Sequence, residues 1–216
     1  MKNLIIYCAM ACLAAFTCID KSYAQNAKPR FGIKAGIDMM TLGTNNTNGV
    51  KFSYDYRLGF QAGIYADVPL CSQLSFLPQV LYTQKGGSIN NALAVANYNI
   101  NTKTKVNYLE VPLLIGFKPQ HNLTLSAGPQ VAFLLSQETY LNLKDGSSSS
   151  GINSNTKSGF RKTLIGANVG VGYLLTNNIG VNLNYSIDFQ HLGNGSVKTS
   201  NGERNSGFAL TASCLF

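Results

Sequence analysis

Period-two alternation runs through nearly all of the chain after its first two dozen residues. It limits the possible folds more than any other feature. Eight such segments fall at roughly 31–40, 56–68, 74–85, 106–118, 123–136, 162–175, 179–190 and 205–216. In an extended strand successive side chains point to opposite faces, so the pattern predicts strands with two chemically distinct sides. One side carries Phe31, Ile33, Ile37, Met39, then Leu58, Phe60, Ile64, then Leu109, Val111, Leu113, Ile115, and so on to Phe208, Leu210 and Phe216, with no charged residue. The other side carries Lys34, Asp38, Arg57, Gln61, Asp67, Gln79, Tyr108, Glu110, Gln130, Asn168, Asn182, Asn184 and Asp188 among many Gly and Ser.

The connections alternate in length. Links 69–73, 119–122 and 176–178 are short, whereas 41–55, 86–105, 137–161 and 191–204 are long and rich in Asn, Ser, Gly and Thr. DGSSSSGINSNTKSG (145–159) is close to low complexity and is expected to be a mobile loop. An even number of strands, with short turns at one end and longer loops at the other, describes a barrel of the bacterial outer membrane. The expected fold is therefore all-β: an eight-stranded antiparallel up-and-down transmembrane β-barrel with both termini in the periplasm.

Alternation alone does not say which face is outside, because a soluble lipocalin-like barrel puts its apolar face inward. The aromatics decide. Phe31, Phe76, Phe117, Tyr173 and Phe216 fall at the short-turn end of the apolar face, and Phe60, Tyr82, Phe133, Phe189 and Phe208 near the long-loop end. Two aromatic girdles with an aliphatic band between them match the two interfaces of a bilayer. The apolar face is thus expected to meet outer-membrane lipid, both lipopolysaccharide and phospholipid. Lys34, Asp38, Arg57, Asp67, Glu110 and Asp188 are expected to form a polar network in a lumen that eight strands leave just wide enough for side chains.

Composition and the N-terminus agree with export. Charged residues are 12% of the chain, about half the usual share for a soluble domain. Lys2, the apolar run Leu4 to Phe16 and the small residues Ser22 and Ala24 read as a signal peptide, residues 1–24, leaving a barrel domain of 25–216. A lipoprotein signal before Cys18 fits the sequence poorly. Cleavage removes Lys2, Lys21 and Asp20, leaving 15 basic and 8 acidic residues, net +7. The basic residues are spread through polar loops rather than set in one stripe, which argues against nucleic acid as a partner. Cys71 and Cys214 remain after cleavage and are read as unpaired residues.

Several segments carry a family resemblance: FGIKAGIDMMTL (31–42), YRLGFQAGIYADVPL (56–70), LPQVLYTQKGG (77–87), VNYLEVPLLIGF (106–117), AGPQVAFLLS (127–136) and VGVGYLLTNNIGVNLNY (169–185), with a last strand ending in LF. NYLEVPLL and the turn segment around Gly172-Tyr173 are the most specific. The chain resembles the PorT-like, porin-family outer-membrane β-barrel proteins of Gram-negative bacteria related to Bacteroides, which are similar in architecture to small OmpX- and OmpA-type barrels. The resemblance implies fold and location. PorT's association with a secretion and gliding apparatus does not transfer with it. The C-terminal strand is expected to engage the barrel assembly machinery, and the protein to be a monomer.

Reactive chemistry is weakly signalled. His121 and His191 are far apart and make no metal signature, and no nucleotide, zinc or calcium motif is present, so no cofactor is expected. Asp188, His191 and Ser196 lie close in sequence near the outer rim, but loop spacing does not put a nucleophile within reach of a base. The expectation is a non-enzymatic structural or surface-interaction barrel; the alternatives are a small-solute porin, a secretion component and, least favoured, a rim enzyme. Glu110 is expected to pair with Arg57 or Lys34, with a gate or proton site as the functional alternative. Tyr54 and Tyr56 are read as interfacial anchors before ligand-gripping residues. Pro78, Pro112 and Pro129 interrupt predicted strands and are expected to coincide with bulges or a bent rim.

Overall fold

The computed structural model describes residues 28–41, 43–47, 50–53, 55–89, 98–145, 148–154, 161–191 and 204–216. The proposed signal peptide, Tyr54 and Ser196 lie outside them. The strands are β1 Arg30–Thr41, β2 Thr44–Thr47, β3 Val50–Ser53, β4 Arg57–Pro69, β5 Leu74–Ile89, β6 Tyr98–Gln120, β7 Leu123–Asp145, β8 Ser148–Ser154, β9 Thr163–Leu174, β10 Ile179–Asp188 and β11 Ser206–Leu215. Among the described residues eight of them form one antiparallel sheet in the order β6-β5-β4-β1-β11-β10-β9-β7, and β6 pairs with β7 to close it. The seam between the chain's two ends is β1 against β11, from Gly32 opposite Leu215 to Thr41 opposite Ser206.

Short turns hold one end. Leu70 donates its backbone N–H to the Leu74 carbonyl, and Leu175 to that of Ile179. In the third turn Thr176 Oγ1 accepts from the backbone N–H groups of Asn178 and Ile179, the local bond that lets Thr mimic a turn.

The other end is taller than the sequence suggests. β6 and β7 run for 23 residues each, about 75 Å at strand rise, whereas crossing a bilayer takes about 9–11 residues. Beyond the barrel wall β5, β6, β7 and β8 pair side by side, with Ile89 opposite Thr102, Thr102 opposite Leu141 and Leu141 opposite Ile152. Two expected loops are therefore partly strand. The Ser-rich 145–159 segment, expected to be mobile, supplies β8, because a free edge of β7 lies beside it to satisfy its backbone groups. Residues 41–55 hold the β2–β3 hairpin.

The prolines correct a second expectation. The pairing lapses beside Pro78 in β4–β5, beside Pro112 in β5–β6 and beside Pro129 in β6–β7, yet the register on either side of each gap is the same. Each proline removes a donor without adding a residue, so nothing shifts. The register shifts fall elsewhere, at Asn107/Tyr108 and between Phe117 and Gln120 in β6–β7.

Burial follows the alternation. Ile33, Ile37, Leu58, Ile64, Val171, Leu183 and Leu210 face outward and are exposed, while Lys34, Asp38, Glu110, Asn184 and Asp188 between them are buried. A molecule this size with its aliphatic residues outside and its carboxylates inside has the reverse of a water-soluble core.

Candidate functional site

The interior of the barrel is where the chain concentrates its charge. Lys85, on the inward side of β5, is 1% exposed and places Nζ 2.6 Å from Glu110 Oε1 of β6 and 3.2 Å from Asp188 Oδ2 of β10. Each carboxylate has further donors. Thr83 Oγ1 donates to Glu110 Oε2 at 3.0 Å, Gln130 Nε2 to Asp188 Oδ1 at 3.1 Å, and Asn205 Nδ2 to Asp188 Oδ2 at 2.9 Å. From Gln130 a ladder of amides continues: Asn168 Nδ2 donates to Gln130 Oε1 at 3.4 Å, and Asn184 Nδ2 to Asn168 Oδ1 at 3.0 Å. Burying an ion costs several kcal/mol unless partner charges and hydrogen bonds offset it, and here one cation meets two anions that carry three further donors.

Local backbone choices make room for this group. Gly166 lies opposite Asp188 in the β9–β10 register and opposite Gln130 in β7–β9. A Cβ there would stand 2.3 Å from the Ile187 carbonyl oxygen and 2.9 Å from Asp188 Oδ1, so glycine lets β9 lie close against β10 and leaves the carboxylate its place. Beside the ions, Val106, Tyr108, Ala132 and Leu164 pack into an apolar cluster with Leu134 against it. The Lys85 ammonium lies 5.8 Å from the centre of the Tyr108 ring. Together they lie in the lumen toward the long-loop end.

Other predicted interior residues are spread along the axis. Asp38 is buried, with neither carboxylate oxygen in a side-chain hydrogen bond. Lys34 donates from Nζ to Gln79 Oε1 at 3.2 Å, one level nearer the short turns. Asp67 lies at the short-turn rim, where Lys118 Nζ is 2.5 Å from its Oδ2. Glu110 thus pairs with Lys85 rather than with Lys34 or Arg57 as expected. β5 is the direct neighbour of β6 in the sheet, while β1 and β4 lie farther round the wall.

Lys85 itself, Thr83, Lys118 and Asn205 belong to this interior network without having been singled out in the sequence. Lys85 shares the parity of Gln79, a signal that was present, but Leu81 between them breaks the polar run. Asn205 stands just ahead of the last strand, where no alternation marks it.

Phe31, Phe117, Tyr173, Phe216, Phe60, Phe133, Phe189 and Phe208 are exposed, and Phe76 and Tyr82 half-buried. Phe60 and Tyr82 pack ring to ring with centroids 5.6 Å apart, and Tyr185 and Phe208 at 4.9 Å. Tyr56 is exposed. Cys71 and Cys214 carry free thiols. Asp188 is committed to Lys85, Gln130 and Asn205 in the interior, so the rim grouping with His191 gains no geometry. Among the described residues no cluster of His, Cys, Asp and Glu could hold a metal ion.

A closed eight-stranded barrel with an aliphatic exterior and an ion-paired interior is a β-barrel protein of the bacterial outer membrane. The family model for the outer membrane protein beta-barrel domain matches residues 23–192. The chain belongs to that family. Among solved structures it is similar to Neisserial surface protein A, at 18% identity over 88% of this chain and 100% of that one, with a TM-score of 0.49. It is also similar to the attachment invasion locus protein of Yersinia pestis, at 10% identity over 88% and 100% with a TM-score of 0.47, and to the outer membrane protease of Escherichia coli, at 11% over 89% and 99% with a TM-score of 0.44. No curated protein matches the chain.

Proposed function

We propose that this protein is a non-enzymatic structural or surface-interaction barrel whose lumen does not conduct. The observation that carries this reading is the Lys85–Glu110–Asp188 group with its amide partners, which together with the apolar cluster fills the bore at one level. The strands beyond the barrel wall support a surface role, because β5–β8 carry a paired sheet well past the length that a bilayer needs. In this reading the signal peptide, residues 1–24, directs export, and the two aromatic girdles anchor a monomer in lipopolysaccharide and phospholipid. The last strand engages the assembly machinery. No cofactor is required.

A small-solute porin is the alternative, and a PorT-like role in a secretion apparatus is the finer family reading that the resemblance suggests. Reconstitution into planar bilayers separates the first two. The sealed barrel gives no steps above the lipid baseline, whereas a porin gives steady single-channel steps that survive repurification. Steady steps would overturn the reading.

A further inference from the structure

The short-turn half of the lumen differs from the half that the Lys85 group fills. Lys34 is 5% exposed, and its one hydrogen bond goes to the neutral Gln79 side chain. The Tyr65 ring lies 5.9 Å from its ammonium. Among the described residues no carboxylate forms an ion pair with it: Glu110 and Asp188 belong to Lys85, and Asp67 to Lys118. Asp38 shares its strand and face but stands four residues along, and no ion pair joins the two. An ammonium left this way in a low-dielectric interior is strongly unfavourable.

Two small cavities adjoin it. One of about 30 Å³ has Lys34, Tyr65, Gln79, Ser126 and Asn184 in its wall. A second of about 50 Å³ shares Tyr65, Thr124, Gly172 and Asn182 with the first and reaches Asp67 and Lys118 at the short-turn rim. A single water needs about 10–15 Å³, so the inner cavity has room for one halide-sized ion, with space for waters in the adjoining cavity. Toward the long-loop end the amide ladder from Asn184 through Asn168 to Gln130 closes it.

We propose that Lys34 is the charge of a buried binding site for one small inorganic anion of halide size, entered from the short-turn, periplasmic side. The anion supplies the negative charge that Lys34 lacks, and the Tyr65 ring and the Gln79 amide complete the wall around the ammonium. Asn184 Oδ1 and Asp67 Oδ1, buried acceptors without a hydrogen-bond partner, take waters that fill the remaining space.

Bromide is the probe. Crystals of the folded barrel grown without halide are soaked in sodium bromide, and diffraction is recorded at the bromine absorption edge. The expected result is one anomalous peak inside the barrel beside Lys34 Nζ, absent in Lys34→Gln. In parallel, chlorine-35 resonance broadening is measured on the barrel in detergent micelles at low chloride. It is expected to fall to the level of protein-free micelles in Lys34→Gln. Heat-modifiable gel mobility confirms that the variant is folded, and Lys34→Met replaces it if it is not. Ordered density without an anomalous signal would mean water and would overturn the proposal. So would a bromide peak with no broadening in solution, which is binding at crystal concentration only.

Discussion

The ammonium of Lys85 on β5 reaches Asp188 on β10 at 3.2 Å, joining two strands that are not neighbours in the wall. It holds Glu110 in the same grip. Replacing it with Lys85→Met leaves two carboxylates facing each other without their cation, and removal of one partner from a buried pair costs about 3–5 kcal/mol. Urea unfolding followed by gel mobility is expected to show that loss. The double variant Lys85→Met with Glu110→Gln is expected to recover part of it, because one uncompensated charge has gone. Equal stability of Lys85→Met and the parent protein would mean that the group contributes nothing.

Gly166 tests the same group from the backbone. Gly166→Ala puts a Cβ 2.3 Å from the Ile187 carbonyl and 2.9 Å from Asp188 Oδ1, and overpacking of this kind costs about 1–3 kcal/mol. At Gly180 the nearest atom to an added Cβ is 3.1 Å away, so Gly180→Ala is expected to cost less. Parallel unfolding curves decide the order, and reversal of it would remove Gly166 from the account of the plug.

The lipid-facing surface is tested by charge. Leu183 faces outward near the middle of β10, and its neighbour Asn184 faces the lumen. Leu183→Arg is expected to lower stability in phospholipid vesicles by about 2–4 kcal/mol if it lies at the bilayer midplane. A soluble barrel with Leu183 in water would lose nothing, so an unchanged midpoint contradicts a membrane-facing wall.

Topology is testable on whole cells. An epitope inserted between Ile89 and Tyr98, where β5 and β6 project beyond the barrel, is expected to be labelled by antibody on intact cells. The same epitope in the turn at His121 and Asn122 is expected to be labelled only after the outer membrane is opened. The opposite pattern would invert the protein in the bilayer.

Much of this was legible in the sequence because a barrel wall obeys a two-residue rule along every strand. Leu183, Asn184 and Tyr185 announce their faces without knowledge of any neighbour. What stayed hidden depends on the third dimension. Which interior charge meets which is set by strand order and shear, so Glu110 could be placed in the lumen but not matched to Lys85. The extra length of β6 and β7 was hidden too, because Asn, Thr and Ser pair into strands there through the adjoining backbone rather than through an apolar pattern. The prolines misled for a related reason. Their missing donors argued for bulges, but a long ladder absorbs isolated gaps without changing step.

The seam is made by the first and last strands of the barrel, with Gly32 beside Leu215. A contact between residues this far apart in the chain is slow to form, and no partial length of polypeptide can make it. A product cut short before residue 206 would be an open ribbon with two raw edges in place of a cylinder. Addition of β11, the ten residues Ser206–Leu215, is therefore the event that commits the molecule to its shape.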